Sequence, residues 1–126
     1  MPRRKQTNVA LTPPGTFLPL TPAVFHILVV LASGEAHGYA IMQEVNKKSG
    51  GLVRLGAGTL YGALGRLLEE GLIEESEERP DPEIDDLRRR YYRLTKLGGR
   101  VLAAETNRLQ DLVRAARSAR VVRFAR

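Results

Sequence analysis

The chain has 126 residues, 43% hydrophobic and 27% charged, the length and composition of one soluble globular domain that can bury a core without covalent staples. It holds no cysteine and two histidines, His26 and His37, which excludes disulfides, thiolate metal sites and thiol nucleophiles and argues against histidine-rich metal sites, so no cofactor is expected. Twenty Lys and Arg against fourteen Asp and Glu give a net charge of +6, which points to an anionic partner such as nucleic acid.

The charge is uneven: +3 over residues 1–20, +1 over 21–56, −5 over 57–78, +2 over 79–96 and +5 over 97–126. The longest apolar run, Val24 to Ala32, is interrupted by His26 and falls well short of the roughly 20 residues of a membrane span. The basic start (Arg3, Arg4, Lys5) runs into Thr and Pro rather than an apolar stretch, so no secretory signal is read and the expected compartment is the cytoplasm.

Residues 1–20 show no sustained period and read as a flexible basic arm, with Phe17, Leu18 and Leu20 able to tuck onto the domain. Thr21-Pro22 is an N-cap followed by proline at the first helical position, and Val24, Ile27, Leu28 and Leu31 recur at helical spacing, so a first helix ends before Ser33-Gly34. A second helix over Gly38 to Lys48 carries Ile41, Met42 and Val45 on one side and ends in Lys47-Lys48 followed by Ser49-Gly50-Gly51. A third, Gly56 to Glu70, has Leu60, Leu64, Leu67 and Leu68 on one face, with Thr59, Tyr61, Gly62, Gly65, Arg66 and Glu69 on the other, and stops at Gly71-Leu72.

Two β-type segments follow, Leu72 to Glu77 and Arg90 to Thr95, joined through the charged, turn-rich Arg79-Pro80-Asp81-Pro82 region into a hairpin with a long tip. From Thr95 to about Ala119 the period is helical again, with Leu97, Val101, Leu102, Leu109, Leu112, Val113 and Ala116 forming an apolar stripe too long for so small a domain to cover.

This order gives a mainly α fold with a small β-hairpin: a winged helix-turn-helix over 21–95, a long C-terminal dimerisation helix over 96–119 and a basic tail over 120–126. In that arrangement the third helix enters a DNA major groove, the hairpin lies against a neighbouring groove, and the long helix pairs two copies over a pseudo-palindromic site. No nucleophile elbow or phosphate loop is present, so no enzyme is read.

Three blocks, HGYAIMQEV at 37–45, GTLYGALGRLLEEGLIEES at 58–76 and RRRYYRLTKLGGR at 88–100, carry a resemblance in both letters and order. With them the chain resembles the PadR family of bacterial transcriptional regulators, in the short form with one C-terminal helix. The resemblance implies a homodimeric repressor of a nearby promoter, in some members released by a small aromatic effector, with Phe25, Val101 and Leu102 near the expected effector pocket. The chain departs from the family pattern at Gly62, where proline is usual, and at Gly65, where a basic residue often stands. Its wing tip is acidic (Asp81, Glu83, Asp85, Asp86), and without Trp no tryptophan-lined pocket is implied.

On this frame the expected DNA contacts are Tyr39, Thr59, Tyr61, Arg66, Arg88, Arg89 and Arg90. Arg66 either grips a guanine edge or phosphate or pairs with Glu69 or Glu70. Thr59 and Tyr61 can donate hydroxyls to phosphate near a helix N-terminus, although Tyr61 can equally pack on the second helix. His37 reads as a cap or as part of the site, and the Arg88–Arg90 run as phosphate contacts or a solvated strand edge. The C-terminal series Arg114, Arg117, Arg120, Arg123 and Arg126 reads as a solvated tail, with Asp111 and Arg114 as one weak pair, or alternatively as a non-specific contact to DNA or an acidic partner. The competing reading is a winged-helix interaction or architectural module with weak, non-specific DNA binding, favoured by Gly62, Gly65 and the acidic tip.

Overall fold

A computed structural model describes residues 12–76 and 90–119. Helix α1 spans Pro22–Ala32 and α2 spans Gly38–Lys48; α3 is Ala57–Glu70 and α4 is Lys96–Ser118. Strands β1 (Ala36–His37), β2 (Ile73–Glu75) and β3 (Tyr91–Leu94) form one antiparallel sheet in the order β1-β3-β2.

The helix ends follow the local chemistry. Thr21 Oγ1 accepts the Val24 N–H at 3.2 Å at the start of α1, and Thr95 Oγ1 accepts the Gly98 N–H at 3.0 Å at the start of α4. At the end of α3, Gly71 is left-handed at φ 78° and the Leu72 N–H bonds back to Leu67 O at 3.0 Å, which turns the chain directly into β2.

The expected hairpin is part of a three-stranded sheet. Ala36 pairs with Tyr92 and His37 with Tyr91 across β1 and β3, while Ile73, Glu74 and Glu75 face Leu94, Arg93 and Tyr92 across β2 and β3. Strand β1 has only two residues, too few for any period to register; it exists because β3 offers it a free edge. The wing tip, with Arg88 and Arg89, lies outside the described residues, as do residues 1–11 of the basic arm and the tail over 120–126.

One core joins all these elements. Ile27, Leu28, Ile41, Val45, Leu60, Leu64, Leu72, Ile73, Tyr92, Leu97 and Val101 are buried together. Helix α4 enters it at close range: a Cβ on Gly98 would stand 1.9 Å from the Leu72 carbonyl oxygen, so only glycine lets the helix start so near the end of α3.

Two expectations are corrected here. The free arm does not extend over residues 12–20: Pro14–Phe17 forms a 3-10 turn that runs along α4, while Phe17, Leu18 and Leu20 pack on the core as their apolar character allowed. Leu97 and Val101, expected on a dimer seam, with Val101 also expected beside an effector pocket, are buried in their own subunit at 4% and 0% exposure. The first turns of α4 are needed to close the domain's core.

Candidate nucleic-acid interface

Helix α3 divides cleanly. Leu60, Ala63, Leu64 and Leu67 are buried, and Gly58, Thr59, Gly62, Gly65, Arg66 and Glu69 are exposed. Gly56 caps its N-terminus without a side-chain hydrogen bond, so the first-turn amides face outward with no side chain over them. A Cβ on Gly58 or Gly65 would meet open space, and one on Gly62 would meet only the Arg66 guanidinium at 4.0 Å. The exposed strip is therefore bare backbone flanked by Thr59 and Arg66.

Arg66 has no ion-pair partner among the described residues, neither Glu69 nor Glu70. Helical side chains lean toward the N-terminus of their helix, and the guanidinium accordingly lies back along Gly62 rather than up toward the glutamates.

Tyr61 is placed otherwise than a phosphate-donating hydroxyl requires. Its ring rests on Gly38, where a Cβ would come within 2.5 Å of the hydroxyl, and that hydroxyl is buried. The residue locks the start of α2 against α3, because the missing Cβ at Gly38 leaves space for an aromatic ring. The neighbouring Tyr39 is half exposed at 50%. His37 is a cap: its Nδ1 accepts the Ala40 N–H at 3.1 Å, and its ring meets Tyr91 edge-on.

On the wing, Arg90 Nη1 lies 3.4 Å from Glu75 Oε2, and Arg93 Nε donates to Glu74 Oε2 at 2.8 Å while approaching Glu35 at 3.6 Å. The base of the hairpin is thus a ladder of cross-strand ion pairs. Arg90, expected at phosphate, is engaged by Glu75.

Charge separates along the chain in a way the segment totals hid. Residues 45–68 hold Lys47, Lys48, Arg54 and Arg66 and no Asp or Glu, whereas Glu69, Glu70, Glu74 and Glu75 crowd the far end of α3 and β2. An acid-free run of cations thus spans the end of α2, the following loop and α3 as far as Arg66. By sequence Lys47, Lys48 and Arg54 read only as helix-terminal and loop cations; the acid-free window sets them apart.

The later part of α4 is uncovered. Leu109 is half-buried, while Leu112 and Val113 are 53% and 51% exposed and Ala116 is exposed. Leu102 is partly buried against the core. Between α1 and α4, Phe25, Thr106, Leu109, Gln110, Val113, Arg114 and Arg117 line an open groove of about 380 Å³. Arg114 Nη1 contacts Asp111 Oδ1 at 3.0 Å between largely exposed side chains. Among the described residues no helix is long and apolar enough to cross a membrane.

The model of the transcriptional regulator PadR-like family matches residues 27–104, more than half of the chain, from within α1 into α4. The chain belongs to the PadR-like family. That membership places it among transcriptional regulators rather than enzymes. Over 89 residues the chain is 37% identical to the transcriptional regulator Rv3488 of Mycobacterium tuberculosis, covering 71% of this chain and 77% of that protein. It is 38% identical over 86 residues to an uncharacterised 37.1 kDa protein in transposon TN4556 of Streptomyces fradiae, covering 68% of this chain but only 22% of that protein.

Among solved structures, a PadR family transcription regulator from Clostridium difficile R20291 superposes with a TM-score of 0.65 at 24% identity, over 78% of this chain and 97% of that one, which establishes the fold. Bacillus subtilis PadR in complex with operator DNA superposes with a TM-score of 0.54 at 26% identity, over 64% of this chain and 44% of that one. The PadR-like winged helix here is therefore a helix-turn-helix with an added β1 edge and a long C-terminal helix.

Proposed function

We propose that this PadR-like chain is a sequence-specific DNA-binding repressor that acts as a homodimer, placing α3 of each subunit in successive major grooves of a pseudo-palindromic operator. The observation that carries the reading is the acid-free stretch 45–68, whose cations Lys47, Lys48, Arg54 and Arg66 are all exposed and whose last member lies on the side-chain-poor face of α3. A polyanion is the partner such a surface attracts, and a helix bare of bulky side chains can approach base edges closely. The likeness to a PadR crystallised on operator DNA supports the same choice. In this reading Arg66 contacts a base or phosphate, Thr59 and Tyr39 contact the backbone, and Arg88 and Arg89 of the wing contact phosphate.

Dimerisation is proposed through Leu109, Leu112, Val113 and Ala116 with part of Leu102. A helix of 23 residues is about 34 Å long, and its last turns leave the domain with apolar side chains in water. The groove beside Phe25, Leu109 and Val113 is the proposed seat of a small planar aromatic effector, since it has an apolar floor and borders the proposed seam.

The test compares Arg66→Ala with the wild type on a duplex that the wild type recovers from a random-sequence pool and on scrambled DNA. The expected loss is about 1 to 3 kcal/mol on the recovered site and much less on scrambled DNA. A wild type that binds both DNAs equally would instead establish the architectural, non-specific reading.

A further inference from the structure

We propose that the loop between α2 and α3, residues 49–56, with Lys47 and Lys48 at its start and Arg54 near its end, is a second DNA-backbone contact that clamps phosphates beside the groove occupied by α3. The proposal rests on the DNA-binding reading above and extends it to residues outside the recognition helix, the wing and the start of α2.

The loop is built to hold one shape. Ser49 Oγ accepts the Val53 N–H at 3.0 Å and donates to Val53 O at 3.3 Å, and Asn46 Oδ1 accepts the Leu55 N–H at 3.1 Å. The Gly51 N–H reaches Asn46 O at 3.0 Å, and Gly50 and Gly51 take positive φ values of 65° and 84° that fold the chain back on the end of α2. Leu55 is buried in the core and anchors the far side. A surface braced in this way binds without the cost of ordering a free loop.

What the brace presents is charge. Lys47, Lys48 and Arg54 are exposed and have no ion-pair partner among the described residues, in contrast to Arg90, Arg93, Arg108 and Arg114, each of which meets a carboxylate. At the tip Leu52 is 91% exposed, the most exposed of the large hydrophobic side chains among the described residues. One exposed leucine is ordinary; flanked in the chain by three unpaired cations, with Arg54 two residues before the N-cap of α3, it is complementary to a phosphate backbone with a sugar edge under the leucine. Any DNA that admits the N-terminus of α3 to its groove brings this loop to the adjoining strand.

The experiment uses the full chain and the fluorescein-labelled duplex recovered by the wild type, titrated between about 50 and 200 mM salt. For the K47Q/K48Q/R54Q variant the slope of log K against log salt is expected to flatten by about 0.9 for each phosphate left without its cation, roughly five for the two subunits of a dimer, with an unchanged melting temperature. Leu52→Glu places a carboxylate at the tip and is expected to weaken binding most at low salt. Unchanged slope and affinity in the triple variant, with Arg66→Ala still impaired, would remove the loop from the interface and leave the DNA-binding reading standing. A wild type that recovers no duplex would overturn both.

Discussion

The Glu105 carboxylate accepts the backbone N–H of Leu20 at 2.9 Å, joining positions 85 residues apart in the chain. Glu105 is 1% exposed, the one buried charged residue among those described, and Arg108 Nη2 also donates to its Oε2 at 2.9 Å. A single buried carboxylate thus holds the segment before α1 against α4, and satisfies an amide that would otherwise be left in an apolar setting. Replacing it with alanine leaves that amide unpaired, with an expected loss of about 1 to 3 kcal/mol in chemical denaturation. An unfolding midpoint equal to the wild type would show that the segment holds by its apolar side chains alone.

The same contact sets an acid limit on stability. Hydrogen bonding from Arg108, aided by the Leu20 amide and the Arg108 charge and opposed by burial, holds the Glu105 carboxyl below its ordinary 4.5. A lowered folded value means that the unfolded chain takes up the proton first, so the contribution is complete above pH 4.5 and is lost as pH falls from there through the folded value. Glu105→Gln cannot titrate, so its stability deficit against the wild type should shrink over that acid window. A deficit constant from neutral pH through the window would contradict the linkage.

Adjacent glycines at the start of α4 should respond in opposite directions. Gly98→Ala drives a methyl to 1.9 Å from Leu72 O and must push α4 off the end of α3, a steric cost of about 1 to 3 kcal/mol or more. Gly99→Ala meets nothing within 4 Å and should gain up to about 1 kcal/mol of helix stability. Thermal unfolding of both variants checks the pair; equal shifts would mean that the close approach at Leu72 is relieved cheaply.

On α3, Gly62→Ala and Gly65→Ala should each stabilise the isolated protein by about 1 kcal/mol, because neither added methyl is obstructed and glycine is a poor helix former. If the face lies close to base edges as proposed, the same methyls weaken DNA binding. Higher melting temperature with lower affinity for the recovered duplex is the expected combination, and unchanged affinity would move α3 away from the bases.

For the proposed seam, Leu112 and Val113 are better targets than the earlier residues of the stripe, since both are exposed in one subunit and their replacement cannot disturb its core. Leu112→Asp in a two-fold dimer removes two apolar side chains and inserts two carboxylates, at an expected cost of several kcal/mol of association. Sedimentation at micromolar concentration should show a folded monomer. A variant that stays dimeric would place the contact between copies elsewhere.

The helices were legible because their causes are local: Thr21-Pro22, Thr95, Gly71 and the leucine spacing of α3 act through neighbours three or four residues away, and a string of letters records such neighbours faithfully. The PadR-like blocks and the amphipathic split of α3 were readable for the same reason. What the letters could not show was which apolar residues of α4 face inward. Leu97 and Leu112 lie on one stripe by period, yet one closes the core and the other stands in solvent, because only packing decides where the domain ends along a helix. Tyr61 went inward because a glycine 23 positions earlier left room for its ring, and β1 formed because β3 had an open edge. Glu105 found the Leu20 amide, and Lys47, Lys48 and Arg54 stayed unpaired, through the meeting or missing of groups distant in sequence. These are outcomes of tertiary proximity, which periodicity along the chain does not encode.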